Sequence, residues 1–387
     1  MSSTGSRVSR QWGAQLNAAR VQTDELFSLL HPAALYDRPV AERHRLIFYL
    51  GHVEAFDWNL LSERALSKPS FHPGFDKLFA FGIDPEPGKA PADQPSDWPR
   101  EAEVRSYVAR VRSELDAALD RAPEQLLNVA VEHRLMHAET LAYLIHNLEY
   151  EKKRGPVPAG AESQPVENVF IEIPAGGATL GRPRNNGFGW DNEFDLHSVE
   201  VPAFRISRFK ITNGEYLDHV RAGAALPHFW VERGGRYFLR AMFGEIPLPL
   251  DWPVYVTHSE AAAYARSRNA TLPTEAQFHR AAVGAWPVNA GFEHWDPVSV
   301  STDAAKGVSG LIGNGWEWTS TVFAPFAGFA PFPFYPGYSA DFFDGKHYVM
   351  KGASPRTAER FLRSSFRNWF RPDYPHVYAG FRLVENR

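Results

Sequence analysis

The stretch Glu124–Tyr150, EQLLNVAVEHRLMHAETLAYLIHNLEY, decides how the first part of this chain folds. Its apolar residues recur at helical spacing, which predicts one long helix. His133 and His137 are four residues apart and therefore lie one turn apart on the same face. That face also carries apolar residues, so we expect it to point into a helical core. Two imidazoles in this arrangement suit a single metal ion; an unremarkable exposed pair is the alternative interpretation.

Three further segments have a helical period. Val40–Leu61 and Glu101–Leu119 show it clearly, and Arg10–Leu30 shows it more weakly. Four long helices in the first part of the chain predict a four-helix bundle. The segment Phe71–Pro99, between the second and third helices, is rich in Pro, Gly and Asp and has no helical period. We therefore expect this link to lie outside the core.

His52 lies on the second predicted helix with Phe48, Tyr49 and Phe56 at helical spacing around it, so it should also face inward. A single histidine among apolar residues is usually a hydrogen-bonded core residue, and this interpretation stays open for His52. Together with the pair on the last helix, it would make a three-imidazole site with positions left for water and substrate.

The composition restricts the chemistry. The 387 residues include no cysteine and 15 histidines, and the formal net charge is −4. Without cysteine, disulfides, thiolate metal sites, iron–sulfur clusters and a cysteine nucleophile are excluded, so a metal site must use nitrogen and oxygen ligands. The charge offers no basic field, and we expect no nucleic acid and no membrane as partners. Neither a signal peptide nor a long apolar run is evident, which predicts a soluble, cytoplasmic protein.

The second half of the chain differs in its sequence pattern, with short apolar runs in place of long helical periods. Lys152–Gln164 carries charge followed by Pro, Gly and Ala, which is typical of an interdomain linker. Beyond it, short apolar runs at Val169–Ile173, Ser198–Val201 and Phe204–Ile206 are separated by Gly, Pro and Asn, and only Ser259–Arg268 has a helical period. This pattern predicts a mixed domain with much irregular structure and extensive aromatic packing.

Two sets of motifs resemble one known family. HRLMHAE, residues 133–139, matches the HxxxHxE pattern of the DinB-like domain in the ergothioneine- and ovothiol-type sulfoxide synthases. The second half resembles their other domain, which has the formylglycine-generating-enzyme (sulfatase-modifying-factor) fold related to C-type lectins. The matching stretches follow in family order: FIEIPAGGATLGRP, FGWDNEF, ITNGEYL, LPTEAQF, GNGWEWT, KGAS and AGFRL.

The resemblance implies an α+β multidomain chain. Residues 1–155 would form a DinB-like four-helix bundle with the metal site, 156–166 a linker, and 167–387 a formylglycine-generating-enzyme-like substrate-binding domain. The formylglycine-generating enzyme itself uses cysteines and copper. Because this chain has no cysteine, the fold would serve here as a scaffold for substrate rather than for that chemistry.

The resemblance also implies a reaction. In the family, three histidines hold iron(II), Fe(2+), and the matching residues here are His52, His133 and His137. The implied partners are dioxygen, the trimethylated histidine hercynine, and a chalcogen donor. Because C2 of an imidazole is not electrophilic, joining it to sulfur or selenium requires oxidation, which iron can supply and redox-inert zinc cannot. We therefore expect a non-haem iron oxidoreductase that forms a carbon–chalcogen bond.

Two further segments match the family. Tyr335-Pro-Gly-Tyr338 fits a tyrosine pair, which implies that Tyr335 donates a proton or hydrogen and that Tyr338 assists through water; packing is the alternative for both. The segment FRNWF, residues 366–370, matches the part that grips the betaine of hercynine. A quaternary ammonium cannot donate hydrogen bonds, so Trp369 would hold it by a cation–π attraction of about 0.5–2 kcal/mol, and Asn368 would offer an oxygen. The alternative for Trp369 is a core residue.

Three departures from the cysteine-using members concern the donor. Met136 replaces Gln, Phe370 replaces Asp, and we place both near hercynine. Between Phe79 and Pro99 there is no arginine to hold donor carboxylates, and one lysine with four acids gives a net charge of −3: Lys89, Asp84, Glu86, Asp93 and Asp97. Because an acidic segment is a poor clamp for an acidic peptide, we expect a selenosugar donor, as in the selenoneine synthase branch. Arg356 or Arg371 could replace the absent clamp, and no residue is assigned to the donor.

Three alternatives remain for the function. The first is an ergothioneine-type sulfoxide synthase that uses γ-glutamylcysteine or cysteine as donor. The second is a zinc-dependent DinB-like thiol transferase, which needs the bundle but no dioxygen. The third is a betaine- or imidazole-binding module without catalysis, in which the histidines are only structural.

Overall fold

Five helices form the first of two units in the computed structural model, which describes residues 2–83, 91–160, 163–303 and 307–386. This helical unit comprises residues 1–156, and the mixed unit comprises residues 157–387. The helices of the first unit are α1 (Ser2–Ser28), α2 (Leu46–Leu61), α3 (Pro73–Phe81), α4 (Glu101–Asp116) and α5 (Glu124–His146). α5 packs against α1 and α2, and α2 packs against α4, which confirms the predicted four-helix bundle.

The second predicted helix was expected to begin at Val40, but α2 begins at Leu46. Arg45 before it has an extended backbone, and the Leu46 N–H donates to the Asp37 carbonyl rather than continuing a helix backwards. The side chains of Arg38 and Arg45 both reach the carboxylate of Asp93. These contacts hold residues 38–45 as a loop.

The expectation that the link Phe71–Pro99 lies outside the core was wrong. It contains α3, which begins with a proline and whose first turn is capped by the His72 imidazole accepting from the Phe75 N–H. Phe79 on this helix is fully buried, and a Cβ placed on Gly51 of α2 would come within 2.4 Å of its ring. Gly51 therefore permits a close approach of α3 to α2 that a larger residue would prevent.

Replacing Phe79 with Ala should destabilise the helical unit by about 3–5 kcal/mol, because it removes a fully buried ring and leaves a cavity. Phe81 is on the same helix but is 65% exposed, so Phe81→Ala is the matched control and should cost less than about 0.5 kcal/mol. Urea denaturation followed by far-UV circular dichroism measures both. Equal losses in the two variants would show that α3 does not belong to the core.

The mixed unit contains twelve short strands and three short helices among the residues that the structure describes. The strands are β1 (Phe170–Ile173), β2 (Gly176–Leu180), β3 (His197–Val201), β4 (Phe204–Ser207), β5 (Trp230–Arg233), β6 (Arg236–Arg240), β7 (Glu245–Pro247), β8 (Gly315–Val322), β9 (Tyr348–Ala353), β10 (Asn368–Phe370), β11 (Ala379–Gly380) and β12 (Val384–Asn386). They form small sheets ordered β1-β4-β12, β10-β9-β8-β11, β2-β3 and β5-β6-β7. This confirms the predicted α+β chain with an irregular second part.

The helices of the mixed unit are α6 (Asn213–Arg221), α7 (His258–Ser267) and α8 (Glu275–Ala281). Only α7 was predicted, because the other two are too short to show a clear period. Each begins after a threonine whose hydroxyl accepts from the third residue, in a capping box: Thr212 with Glu215, Thr257 with Glu260, and Thr274 with Gln277. None of the helices described has the length and apolarity that crossing a bilayer requires.

Candidate functional site

The three predicted histidines meet inside the helical unit. His52 comes from α2, and His133 and His137 come from α5. Their ligand nitrogens all lie within 4.8 Å of one another, and the Nε2 atoms of His52 and His137 are 3.2 Å apart. The i, i+4 spacing on α5 therefore does place two imidazoles on the face that looks toward His52. We call these three residues the histidine triad.

Aromatic rings fix the planes of the imidazoles. Phe56 stacks on His133 with ring centroids 3.4 Å apart and an interplanar angle of 12°. Phe48 stacks on His52 at 4.7 Å and 25°, and Tyr49 lies 5.8 Å from His137. All three aromatic residues are on α2, within one turn of His52. The rings leave the imidazoles little freedom to rotate, because interiors are close-packed.

A backbone carbonyl orients His52. Its Nδ1 lies 2.7 Å from the carbonyl oxygen of Phe79 on α3, and only a protonated Nδ1 can donate there. The Nε2 lone pair of His52 is then directed toward the other two imidazoles. Such a hydrogen bond behind a ligand nitrogen is the usual means of orienting a metal-binding histidine. Sequence reasoning missed it because it involves backbone from the link.

Burial keeps the triad neutral. It lowers the pKa of His52 to about 4 and holds the pKa values of His133 and His137 well below the ordinary range of histidine. Neutral imidazole is the form that binds a metal ion. Three such nitrogens directed at one another form a donor set that iron, zinc, copper and nickel all accept, so the residues present fit a metal ion but do not select one.

The predicted substrate segment is an edge strand of the mixed unit. β10 consists of Asn368, Trp369 and Phe370 and pairs with β9. Neighbouring side chains of a strand point to opposite faces, and Trp369 indeed contacts a different group from Phe370. Trp369 is partly exposed and stacks on Phe323 at 4.2 Å and 6°, whereas Phe370 stacks on Tyr374 at 5.2 Å and 15°. The strand thus has two aromatic surfaces rather than one.

Trp369 belongs to a cluster that includes the predicted tyrosine pair. Tyr338 meets Trp369 edge to face at 5.5 Å and stacks on Trp190 at 3.9 Å and 20°. Tyr338 is buried, whereas Tyr335 is partly exposed, 5.6 Å from it between ring centroids. Burial raises the pKa of the Tyr335 phenol, and the Asp191 carboxylate adds to the rise, so Tyr335 keeps its proton at neutral pH.

The predicted site residues therefore form two groups. The histidine triad and the half-buried Met136, which directly precedes His137, belong to the helical unit. Asn368, Trp369, Phe370 and the two tyrosines belong to the mixed unit. The side-chain oxygen of Asn368 accepts from the Trp369 N–H at 2.9 Å.

The charge of the link differs from what the sequence suggested. The buried carboxylate of Asp93 accepts hydrogen bonds from the guanidinium of Arg38, from that of Arg45 at 2.9 Å, and from the indole N–H of Trp98 at 2.7 Å. The two arginines offset two of the three net negative charges counted from the sequence, and with Asp93 alone they form a group of net charge +1. Asp84, Glu86 and Lys89, which entered the same count, lie outside the described residues.

The two arginines considered as replacement clamps also differ. Arg356 is buried, donates to the Phe292 carbonyl at 3.0 Å and lies over the Trp295 ring at 3.8 Å. Its guanidinium therefore helps to pack the segment that contains Phe292 and Trp295. Arg371 is exposed at the end of β10.

Removing the Tyr338 ring should destabilise the mixed unit by about 3 kcal/mol or more, because Tyr338→Ala abolishes the stack on Trp190. Tyr338→Phe keeps that stack and should cost at most about 1.5 kcal/mol, the contribution of one hydroxyl. Denaturation followed by tryptophan fluorescence compares them. Equal losses would locate the contribution of Tyr338 in its hydroxyl instead of its ring.

Family comparisons agree with both units. Residues 15–149 match the DinB superfamily, and residues 157–286 and 283–387 match the sulfatase-modifying factor enzyme 1-like domain. Fold and motifs thus define a protein in which a DinB-type helical domain is joined to a sulfatase-modifying-factor-type domain. The chain belongs to the ergothioneine-type sulfoxide synthase family, which combines these two domains.

Curated relatives support that assignment. "Hercynine oxygenase" of Mycobacterium tuberculosis is 32% identical over 339 residues, which cover 73% of this chain and 77% of the relative. "Ergothioneine biosynthesis protein 1" is 29% identical over 419 residues in Schizosaccharomyces pombe and 28% identical over 491 residues in Neurospora crassa. Each fungal match covers 92% of this chain, and the chain spans 54% and 56% of those relatives, about half of their length.

Proposed function

We propose that this chain catalyses the dioxygen-dependent joining of a chalcogen to C2 of the imidazole of hercynine. The observation that carries this proposal is the histidine triad, three neutral imidazoles whose ligand nitrogens lie within 4.8 Å of one another, with His133 buried and His52 and His137 half-buried. The names of the relatives, hercynine oxygenase and ergothioneine biosynthesis protein 1, support hercynine as the substrate.

The triad would hold iron(II). When bound, iron supplies the exchange of electrons with dioxygen that zinc cannot supply. In the overall balance, hercynine gives up its C2–H hydrogen and the donor gives up its chalcogen-bound hydrogen. One oxygen atom of dioxygen leaves with both hydrogens as water, the other stays on the chalcogen, and dioxygen takes up four electrons.

The chain's own side chains would bind and orient hercynine and deliver protons. Trp369 presents a partly exposed ring whose position is fixed by the stack on Phe323, and such a ring attracts a quaternary ammonium. We also assign Asn368, Phe370 and Met136 to hercynine from the family resemblance, although Asn368 and Phe370 alternate with Trp369 along β10 and point to its other face. Tyr335 retains its proton at neutral pH and is the proposed proton donor, with Tyr338 in support.

The donor that we propose is a selenosugar. The two arginines that reach the link are held by hydrogen bonds, Arg38 to the Pro91 carbonyl and Arg45 to Asp93 and the Tyr36 carbonyl. Arg356 serves loop packing, so we assign none of these three to the carboxylates of γ-glutamylcysteine, and among the arginines considered only Arg371 stays exposed. Phe370 and Met136, which stand where the cysteine-using members have Asp and Gln, are further departures from the pattern of the peptide-using enzymes. An uncharged, hydroxyl-rich donor needs no cationic clamp.

Loss of a triad imidazole should abolish iron binding. We expect one iron(II) per chain in the anaerobically loaded protein and less than about a tenth of that in His137→Ala, because a three-ligand site is left with two nitrogens. His294, which is half exposed in the mixed unit, provides the control variant His294→Ala. Metal analysis after gel filtration measures the content. Full iron retention in His137→Ala would contradict the triad as the metal site.

The donor is tested by aerobic incubation of the iron-loaded protein with hercynine and either a selenosugar or γ-glutamylcysteine, with products identified by mass spectrometry. We expect turnover of the selenosugar at a rate at least about tenfold above that of the peptide, a difference of 1.4 kcal/mol in barrier. Turnover of the peptide alone would make the chain an ergothioneine-type synthase. Activity that persists without dioxygen would indicate a zinc thiol transferase, and hercynine binding without any turnover would indicate a binding module.

A further inference from the structure

A buried ionic cluster lies beside the histidine triad and has no part in the proposed reaction. Arg134 directly follows His133 on α5, and Glu54 and Asp57 follow His52 on α2 by two and five residues. All three side chains are completely buried. Charged residues in the interior of otherwise apolar helices were the signal available in the sequence.

Arg134 binds α2 through four hydrogen bonds. Its Nη1 donates to Glu54 Oε1 at 2.9 Å and its Nη2 donates to Glu54 Oε2 at 2.8 Å. The same Nη2 also reaches Asp57 Oδ2 at 2.6 Å and the Val53 carbonyl at 2.9 Å. The paired contacts with Glu54 impose direction as well as attraction, because the guanidinium is planar.

The cluster extends to the remaining long helices. Arg112 of α4 donates to Glu54 Oε1 at 2.7 Å and also pairs with Asp24 of α1. The charged groups therefore link all four long helices in a chain, from α1 to α4, from α4 to α2 and from α2 to α5.

We propose that Arg134, Glu54 and Asp57 are positioning residues that fix the register of α2 against α5 and thereby hold His52 at the correct distance from His133 and His137. A buried ion pair seldom stabilises a protein more than apolar side chains of similar volume would, so stability alone does not account for this cluster. The inference rests on the proposed role of the triad as a metal site.

A metal site requires its ligand atoms to be placed accurately, which explains why an ionic cluster that fixes the helix register is useful. A slip of one residue along a helix moves a side chain by about 1.5 Å, whereas metal–ligand distances tolerate only about 0.2 Å. Apolar side chains can repack with small shifts of one helix against the other. The two parallel hydrogen bonds between Arg134 and Glu54 form only when these residues face each other, so a slip of α2 along α5 would break them.

The test uses cobalt(II), whose visible spectrum reports ligand geometry, in anaerobic titrations of the full chain. The variants are Arg134→Met, the milder Asp57→Asn, and the combined Glu54→Leu, Asp57→Leu and Arg134→Met, which replaces the whole cluster with apolar groups. The control is Leu115→Ala on α4, which removes fully buried apolar surface from a helix that carries no residue of the triad. Melting temperatures are measured in parallel.

We expect the apolar triple variant to melt near the wild type but to bind cobalt(II) about 10–100-fold more weakly, with altered absorption bands, because outer residues tune metal affinity by this factor. Arg134→Met should show the same loss, and Asp57→Asn a smaller one. Leu115→Ala should melt lower yet keep the wild-type spectrum and affinity.

Two results would overturn the inference. If the triple variant and Asp57→Asn both bind cobalt(II) as the wild type does, with an unchanged spectrum, the cluster is only structural. If Leu115→Ala loses affinity as much as Asp57→Asn does, the effect reflects stability alone. A wild-type chain that binds no cobalt(II) would refute the metal site itself, and so distinguishes failure of the proposed function from failure of this inference.

Discussion

The hydrogen bond between His52 Nδ1 and the Phe79 carbonyl is the constraint on which the candidate metal centre depends. It sets which nitrogen of His52 faces His133 and His137, and it can form only because α3 approaches α2 closely at Gly51. The ring of Phe79 fills the space above that glycine while its backbone carbonyl receives the imidazole proton. One residue of the link thus contributes both to the core and to the orientation of an imidazole of the triad.

Much of the bundle and the triad could be predicted from sequence, because both depend on helical periodicity. The spacing of His133 and His137 fixes their shared face, and the aromatic residues around His52 indicate that it faces inward. The Phe79 carbonyl could not be predicted, since a backbone acceptor has no side-chain signature. α3 itself is only nine residues long, too short for its period to stand out against the surrounding Pro and Gly.

The charge of the link shows a different limit. Counting Asp93 as a free negative charge was reasonable from the sequence, but the carboxylate is buried with Arg38 and Arg45, which are about fifty residues earlier in the chain. Pairing between distant residues depends on tertiary structure and leaves no local pattern. The same is true of Arg134, whose partners are on another helix. The capping boxes of α6, α7 and α8 were by contrast readable, and they would have identified two helices that periodicity missed.

The alternation of side chains along β10 has an evolutionary consequence. Trp369 is held by Phe323 and Tyr338 on one side of the strand, whereas Phe370 stacks on Tyr374 on the other. A substitution at position 370 can therefore alter its own surroundings while the tryptophan keeps its neighbours. Positions 369 and 370 can therefore evolve independently, because each side chain packs against its own set of neighbours.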